Sequence, residues 1–495
     1  MLRVGSRPVT IEQLVAAARG ELPVELEGDA KFRERLEAGR RALEQALAEG
    51  RPVYGVTTGV GASVGTQVPP EARSEMALNL LRFHGCGTGR RLDAEAAAGV
   101  VVARLISLAR GYSGVRPLLL DRLALLLERR ILPAIPEEGS VGASGDLTPL
   151  SYLAALLVGE REALVGDAVL PAGEALAAAG LEPLVLEPKE SLALMNGTSV
   201  MTALACFAHE RAGRLARLAS AVSALASHAV AGNPAHFAAE IFELKPHRGT
   251  RRAGAWIRED LAGAPSREPA RLQDRYSLRC APHVIGVLLD ALDFAREWLE
   301  IEINGVDDNP IVDPESGDVH HGGNFYGGHV AFAMDGLKAA VASVADLLDR
   351  QLLLLCAPET SGGLPANLIR GAAHHGMKAM QISASALAAE ALRLTLPAAS
   401  FSRSTESHNQ DKVSMGTLAA RDALRVVELA ETVAAIGLLA AAQGAELRGA
   451  LTPRLAALVA ALRREVPRLE ADRRQDLDIA RVLELHRRGA LLAPA

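Results

Sequence analysis

The sequence predicts an all-α protein, and three observations support this prediction. The 495 residues are 49% hydrophobic but only 3% aromatic, so the core must consist mainly of Ala, Leu and Val, which suit closely packed helices. Between residues 330 and 355, apolar side chains recur in steps of three and four, the spacing of one buried helical stripe. No long span alternates with period two, which argues against a large sheet.

Further long helices are predicted from the same pattern over 198–231, 283–303, 367–395 and 411–447. Helices of this length favour an elongated bundle that completes its core by association with identical chains. We divide the chain into a loop-rich N-terminal region (1–195), a central bundle of long helices (196–450) and a charged helical C-terminal end (451–495). Near the N-terminus, Thr10 followed by Gln13 predicts a capping box that opens a helix.

Composition narrows the class of partner. A net charge of -6 and a pI near 6.2 give no basic footprint for nucleic acid, so small molecules or copies of the chain are the expected partners. The N-terminus carries no apolar run bounded by a cleavage site, and later apolar stretches are too short to span a bilayer. The four cysteines lie far apart without a CxxC pair, which argues against a disulfide framework or a cysteine zinc site. We therefore expect a cytoplasmic protein.

One segment, GSVGASGDLTPLSYL from Gly139, carries an unusual pattern. Gly142 and Gly145 flank an Ala-Ser pair, so the backbone can turn very tightly there. Thr148–Pro149 suits an N-cap and a first helical position, which predicts a helix directly after the turn. The N-terminus of that helix would direct partial positive charge toward the loop. These residues alone leave open an ordinary loop-to-helix junction or an anion site.

Within this segment, GASGDL resembles the signature of the histidine, phenylalanine and tyrosine ammonia-lyase family. In that family the Ala-Ser-Gly tripeptide cyclises and loses water to give 4-methylideneimidazol-5-one (MIO). The resemblance implies that the Gly145 nitrogen attacks the Ala143 carbonyl and that Ser144 loses its hydroxyl. An electrophilic methylidene carbon results, which no ordinary side chain provides. No metal, nucleotide or pyridoxal cofactor is then needed.

Two further blocks imply catalytic residues. YGVTTGVG resembles the inner active-site loop of the family, which implies that Tyr54 is the base for the β-proton. KESLALMNGT carries Asn196, which the family places beside the MIO. The ordinary pKa of tyrosine is about 10, so the site must lower the pKa of Tyr54 or gain proton affinity elsewhere.

Other blocks imply substrate contacts. QDRYSLR supplies Gln273, Tyr276 and Arg279; the resemblance implies that Arg279 binds the substrate carboxylate and that Tyr276 lies near the MIO. A planar guanidinium suits that carboxylate. GGNF supplies Phe325 as a pocket-lining residue, and HNQDKVSM supplies Gln410.

Substrate choice depends on two of these positions. His84 stands where histidine-specific and tyrosine-specific members carry histidine. Gln410 stands where histidine lyases usually carry a glutamate, whose charge-assisted bond to an imidazole would contribute roughly 1.5–3 kcal/mol. The combination favours L-tyrosine over L-histidine. Gly85, where tyrosine lyases often have leucine, indicates a more open pocket that could also admit L-phenylalanine.

The family implies an all-α, fumarase/aspartase-like bundle assembled as a homotetramer, with each active site drawn from three chains. Two alternatives stay open beside the lyase: a histidine ammonia-lyase, and a 2,3-aminomutase, in which a closed loop retains the product long enough for the amine to return. A catalytically dead scaffold is disfavoured because the tripeptide, the tyrosine base and the arginine are all present.

Two other patterns have plainer interpretations. The pairs His320–His321 and His374–His375 could suggest a metal site, but adjacent residues point in different directions and no carboxylate cluster accompanies them. Asp307 and Asp308 could suggest paired acid/base carboxylates. Because Asn309–Pro310 follows them, we expect a turn instead.

Overall fold

The computed structural model describes residues 1–264 and 271–492, and it confirms the all-α prediction. Within these ranges there are 18 α-helices, and each β-strand has at most four residues. The helices are α1 Ile11–Ala18, α2 Ala30–Ala48, α3 Arg73–Phe83, α4 Ala94–Leu108, α5 Pro117–Arg129, α6 Leu147–Leu157, α7 Ala172–Ala178, α8 Glu190–Met195, α9 Ser199–Ala229, α10 Ala239–Glu243, α11 Arg248–Asp260, α12 Tyr276–Arg279, α13 Ala281–Asn304, α14 Gly328–Cys356, α15 Lys378–Arg393, α16 Gly416–Arg448, α17 Pro453–Arg463 and α18 Gln475–Arg487.

The strands form four small sheets. They are β1 Leu2–Val4, β2 Val24–Leu26, β3 Thr88–Arg91, β4 Ile131–Pro133, β5 Pro136–Glu138, β6 Glu162–Val165, β7 Ala168–Pro171, β8 Ile311–Val312 and β9 Val319–His320. β1 pairs with β2 in parallel, while β3–β5, β4–β6–β7 and β8–β9 are antiparallel. Within the described residues no sheet has more than three strands, as the lack of period-two patterning predicted.

Most of the predicted long helices are confirmed, with boundaries shifted by a few residues: α9, α13, α14 and α16. The prediction for 367–395 was wrong in its first third, because α15 begins only at Lys378. Ahead of it, Gly376 has a φ of +57°, a left-handed conformation that does not continue an α-helix. The capping box is confirmed: the Gln13 N–H donates to the Thr10 hydroxyl at 3.3 Å, and the Thr10 N–H donates to Gln13 Oε1 at 3.1 Å.

The described residues form two compact units. Met1–Phe207, Arg296–Met334 and Pro397–Arg421 make up the first unit, and the rest of the described chain makes up the second. The three-part division drawn from the sequence stays a prediction.

In the first unit, α4 is the central element. It is buried continuously from Ala96 to Leu108, and it packs against α1 and α5. α6 packs against α8, which brings the segment after the tripeptide close to the segment that carries Asn196. The packing of these two short helices therefore positions the backbone of the candidate site.

In the second unit, small residues let the long helices approach closely. Gly213 of α9 lies against Leu292 of α13, and Gly437 of α16 lies against Val222 of α9. Gln351 of α14 donates from Nε2 to the Ser223 hydroxyl of α9 at 2.8 Å. In the parts of the chain that the structure describes, no helix combines the length and the apolar character needed to cross a membrane.

Candidate active site

The Ala143–Gly145 tripeptide forms a tight turn between β5 and α6. Gly142, Ser144 and Gly145 all have left-handed φ angles, of 76°, 50° and 76°. Gly145 is also bridged to the backbone of Gly197, and a Cβ there would collide with the Gly197 carbonyl. Glycine at position 145 is therefore required both by backbone conformation and by space.

Asp146 follows the tripeptide and is completely buried. Its carboxylate accepts the N–H groups of Val200 and Met201, in the first turn of α9, at 3.0 and 2.8 Å. The hydroxyls of Ser140 (3.1 Å) and Thr417 also donate to it. Burial raises the pKa of Asp146 to about 6, and these hydrogen bonds oppose the shift. A negative charge at this place also suits the N-terminus of α9.

The expected start of the helix after the turn was wrong by a short distance. Thr148 was predicted as the N-cap, but α6 begins at Leu147 with Asp146 at the N-cap position. The Asp146 side chain does not cap α6 and instead serves α9, as described above. A sequence pattern for local capping cannot reveal a cap donated to a helix that begins more than fifty residues later.

Asn196 lies at the C-terminal end of α8, next to the residue that binds the tripeptide backbone. The N–H of Gly197 donates to the Ser144 carbonyl at 3.2 Å, and the Gly197 carbonyl accepts the N–H of Asp146 at 2.7 Å. Asn196 is buried, and its Nδ2 lies 3.4 Å from Asp308 Oδ1. The structure therefore brings the Asn196 segment and the tripeptide together.

The two aspartates expected to form a turn have a larger structural role. Asp307 pairs with the fully buried Arg104 at 2.7 Å and accepts the Thr198 N–H at 2.7 Å. Asp308 pairs with the fully buried Lys189 at 2.5 Å. The turn interpretation was incomplete, because partners so distant in the chain are invisible to local spacing. Both pairs also contact the residues around Asn196.

The inner loop carries Tyr54 at the edge of an open cleft. The Tyr54 hydroxyl accepts the N–H of Gly61 at 2.7 Å, and the Tyr54 N–H donates to His321 Nε2 at 3.2 Å. Burial raises the pKa of Tyr54, the Gly61 N–H opposes this, and the negative charge of Glu406 adds to it. The sequence left two possibilities, a lowered pKa for Tyr54 or proton affinity gained elsewhere. Because the pKa of Tyr54 is raised, the first possibility does not hold.

The cleft beside Tyr54 has a volume of about 370 Å³. Its lining residues are Tyr54, Thr58, Val64, Asn309, His321 and Gly322. All of them belong to the first unit. Phe325, expected to line the pocket, is half-buried three residues after Gly322.

His84 follows α3 and is held in one orientation. Its Nδ1 lies 2.8 Å from the Leu80 carbonyl, so the neutral ring carries its proton on Nδ1 and presents Nε2 as an acceptor. Burial lowers the pKa of His84, which favours this neutral form. The loop after His84 leads into β3, which pairs with β5 directly ahead of the tripeptide.

Gly85 was interpreted as opening the substrate pocket, and the structure shows a different constraint. A Cβ at Gly85 would collide with the Arg161 guanidinium. That guanidinium lies over the Tyr152 ring at 4.5 Å and donates to the Leu81 carbonyl at 3.1 Å. A side chain at position 85 would therefore have to displace a well-bonded arginine.

Gln410 lies in a tight turn. Its Oε1 accepts the Thr405 hydroxyl at 2.8 Å, and the backbones of the two residues form a bridge. Between them, Glu406 has a left-handed φ of 52°. Because Oε1 is used by Thr405, the amide group of Gln410 is available mainly as a donor.

The remaining predicted residues belong to the second unit. Gln273 and Tyr276 are exposed, Tyr276 by 72%. Arg279 donates from Nε to the Asp274 carbonyl at 3.0 Å, and its guanidinium lies 4.7 Å from the centre of the Tyr276 ring. These contacts hold the side chains of Tyr276 and Arg279, the first and last residues of α12, against each other.

Three residues near the tripeptide or Tyr54 were missed by sequence reasoning: Asp146, His321 and Glu406. Asp146 directly follows the tripeptide, and its position was the available signal. His321 was considered only as half of a possible metal pair. Within residues 1–264 and 271–492, no group of three or more His, Cys, Asp or Glu side chains is placed to hold a metal ion. No sequence signal linked Glu406 to the inner loop, because the hydrogen bond from the Ala62 N–H to Glu406 joins residues 344 positions apart.

Comparisons with known proteins agree on one kind of relative. The family model described as aromatic amino acid lyase matches residues 9–464. The histidine ammonia-lyase of Gloeobacter violaceus is 42% identical over 494 residues, covering 98% of this chain and 95% of the relative. The histidine ammonia-lyase of Koribacter versatilis is 38% identical, covering 100% and 99%.

Solved structures give a similar result for the fold. The tyrosine aminomutase of Streptomyces globisporus superposes with a TM-score of 0.94 at 36% identity, covering 100% of this chain and 98% of that one. The histidine ammonia-lyase of Trypanosoma cruzi superposes with a TM-score of 0.91 at 32% identity, covering 99% and 94%.

Proposed function

The chain belongs to the aromatic amino acid lyase family, whose members are carbon–nitrogen lyases, and on that basis we propose that it eliminates ammonia from an aromatic L-amino acid. The products are ammonia and the α,β-unsaturated acid. The observation that carries this proposal is the left-handed turn of the tripeptide, held against Gly197 and followed by the buried Asp146.

The residues present fit the formation of an MIO group. Gly145 has no side chain to hinder its nitrogen, and the turn at Ser144 folds the tripeptide back on itself. Cyclisation joins the Gly145 nitrogen to the Ala143 carbonyl carbon with loss of water, and Ser144 loses a further water. When formed, the ring supplies an electrophilic methylidene carbon. Asp146 and its hydrogen-bond donors hold the backbone next to the tripeptide, on which cyclisation depends.

Tyr54 is proposed as the base that removes the β-proton. The Gly61 N–H on its oxygen would stabilise the phenolate, whereas burial and the charge of Glu406 disfavour it. When the pKa of the phenol is raised, its phenolate is a stronger base. Removal of a weakly acidic β-hydrogen requires a strong base. Arg279 is proposed to bind the substrate carboxylate through its planar guanidinium, which orients the reacting carbons.

The assembly is proposed to be a homotetramer with shared active sites. Its support is the exposure of Tyr276, whose aromatic side chain is 72% exposed in the single chain. Exposed apolar residues such as Phe332 of α14 and Ile382 of α15, 62% and 71% exposed, are consistent with further packing against other copies. Light scattering on the purified protein measures the oligomeric state.

L-histidine is the first substrate proposed, because the curated relatives described above are histidine ammonia-lyases that align over almost their whole length. The sequence-based preference for L-tyrosine is not supported by these relatives. For the histidine substrate, the acceptor Nε2 of His84 offers a partner to an imidazole N–H.

L-tyrosine is kept as a second candidate because of Gln410. Its amide cannot supply the charge of the glutamate that histidine lyases usually carry there, and Oε1 is already bonded to Thr405. Nε2 of His84 can accept a phenol O–H as well as an imidazole N–H. Because a solved tyrosine aminomutase is similar to this chain, a 2,3-aminomutase activity is also tested.

An ultraviolet assay with separate L-histidine, L-tyrosine and L-phenylalanine samples tests the proposal. Urocanate as the main product supports the histidine assignment, and coumarate supports tyrosine. Chromatography for β-amino acids detects the aminomutase outcome. Ser144→Ala is the matched control, because it cannot form the methylidene group. Absence of every product from wild-type protein whose mass shows the cyclised tripeptide would contradict the proposed reaction.

A further inference from the structure

Tyr54 is fixed at both of its polar ends. Its backbone N–H donates to His321 Nε2 at 3.2 Å, and its hydroxyl accepts the Gly61 N–H at 2.7 Å. Ala62, the next residue, donates its N–H to both carboxylate oxygens of Glu406 at 3.0 and 2.9 Å. A chain of contacts therefore runs from His321 through Tyr54 and Gly61 to Glu406.

The two outer partners come from separate parts of the first unit. His321 directly follows β9, which is paired to β8, and Glu406 lies in the turn bridged by Thr405 and Gln410. The loop between them is weakly supported elsewhere: residues 62–67 are all exposed, and its own closure is a bridge between Thr58 and Gln67. His321 and Glu406 thus provide the side-chain contacts at the two ends of the Tyr54–Ala62 segment.

We propose that His321 and Glu406 are positioning residues for Tyr54. His321 holds the backbone of the tyrosine, and Glu406 holds the segment whose Gly61 N–H bonds the phenol oxygen. This inference rests on the proposed function, in which Tyr54 removes the β-proton. Neither side chain is proposed to contact the reacting atoms. Both act by keeping the Tyr54 hydroxyl in one place.

Each side chain accepts a backbone N–H, so the variants are chosen either to keep or to remove a hydrogen-bond acceptor. Glutamine can accept through Oε1 at either position, whereas leucine cannot accept at all. The test therefore compares His321→Leu with His321→Gln, and Glu406→Leu with Glu406→Gln. His320→Leu is the matched control, because His320 is an exposed neighbour on β9 outside this chain of contacts.

Steady-state kinetics give the first readout. A displacement of about 1 Å in a catalytic group can cost about 100-fold in rate. We expect the two leucine variants to lose roughly 10- to 100-fold in kcat with KM changed by less than about 3-fold. We expect the two glutamine variants to recover to within about 3-fold of wild type. A glutamine variant as impaired as its leucine counterpart would contradict an acceptor role.

Hydrogen exchange gives a readout that needs no substrate. The peptide covering residues 54–62 should exchange faster in the leucine variants than in wild type, in the glutamine variants and in His320→Leu. Unchanged exchange in the leucine variants would overturn the proposal. If wild type turns over none of the three amino acids, the proposed function fails, yet the exchange comparison still decides whether these side chains hold the loop. Intact mass shows whether tripeptide cyclisation is unaffected.

Discussion

The turn that carries the proposed electrophile and the loop that carries the proposed base are supported in opposite ways. Next to the tripeptide, the buried Asp146 accepts four hydrogen bonds, two of them from the start of α9. The inner loop, in contrast, has its tip exposed and depends on His321 and Glu406 for side-chain support.

This difference fits two separate requirements of the proposed reaction. A turn that must keep a strained backbone needs many buried contacts, because left-handed non-glycine residues such as Ser144 are unfavourable on their own. A loop that must admit substrate and release product needs few contacts, since segments that move come from the less stable parts of a structure. Substitutions at the turn should therefore either abolish cyclisation or leave it intact. Substitutions at the loop should instead lower the reaction rate by degrees.

The largest effect is expected for Asp146→Ala. Removal of the carboxylate leaves buried donors of α9, Ser140 and Thr417 without an acceptor, which should lower the free energy of unfolding by about 3 kcal/mol. The turn would relax, so we expect no cyclisation and at least about 1,000-fold less activity. Denaturant unfolding and intact mass measure the two effects. Asp313→Ala, in the half-buried turn after β8, is the control and should cyclise as wild type does. Full cyclisation in Asp146→Ala would show that the turn does not depend on its buried hydrogen bonds.

Tyr54→Phe should separate the base from the electrophile. The ring is retained and only the hydroxyl is lost, so we expect kcat to fall by about 100- to 10,000-fold, the range of general acid–base catalysis. Cyclisation should proceed as in wild type, since Tyr54 makes no contact with the Asp146 donors described above. Kinetics and intact mass on the same sample decide this. A Tyr54→Phe variant with an uncyclised tripeptide would show that loop and turn are not independent.

Gln410→Glu should change selectivity more than rate. A carboxylate at this position restores the charge-assisted bond to an imidazolium or imidazole N–H, worth roughly 1.5–3 kcal/mol. The ratio of kcat/KM for L-histidine to that for L-tyrosine should then rise by about 10- to 100-fold. Competition between the two amino acids in one assay measures the ratio directly. An unchanged ratio would remove Gln410 from the set of specificity residues.

Glu406→Gln should give the smallest effect, a shift in pH dependence. The negative charge of Glu406 raises the pKa of Tyr54, so its removal lowers that pKa. Activity requires the deprotonated base, and the acidic limb of kcat/KM should therefore move to lower pH. The plateau at high pH should stay within about 3-fold of wild type because glutamine still accepts the Ala62 N–H. A limb displaced to higher pH would contradict this electrostatic assignment.

The sequence was sufficient for the helical class, because periodicity over 25 or more residues reports directly on a buried helical face. The residue types around the tripeptide also predicted the tight turn that the structure shows there, while its cyclisation stays a prediction. The failure at 367–377 has a local reason: a positive φ at Gly376 interrupts an otherwise acceptable pattern.

The supporting contacts of the site could not be predicted in this way. Asp307 was expected to form a turn, yet its partner Arg104 lies 203 residues earlier. His321 and Glu406 contact the inner loop from distances of 267 and 344 residues along the chain. Spacing rules describe neighbours on one helix or strand, so contacts of this kind require the fold itself.

The anchoring of Asp146 has a consequence for the maturation of newly made chains. Three of its four donors lie 54, 55 and 271 residues further along, and the neighbouring Gly142 carbonyl accepts the Ser414 hydroxyl 272 residues away. Most of the chain must therefore be synthesised before the tripeptide can be held in its reactive shape. A truncated or misfolded copy would keep an unreacted Ala-Ser-Gly segment, harmless to cellular thiols and amines. If the tripeptide cyclises as proposed, its cyclisation marks a chain that has completed folding.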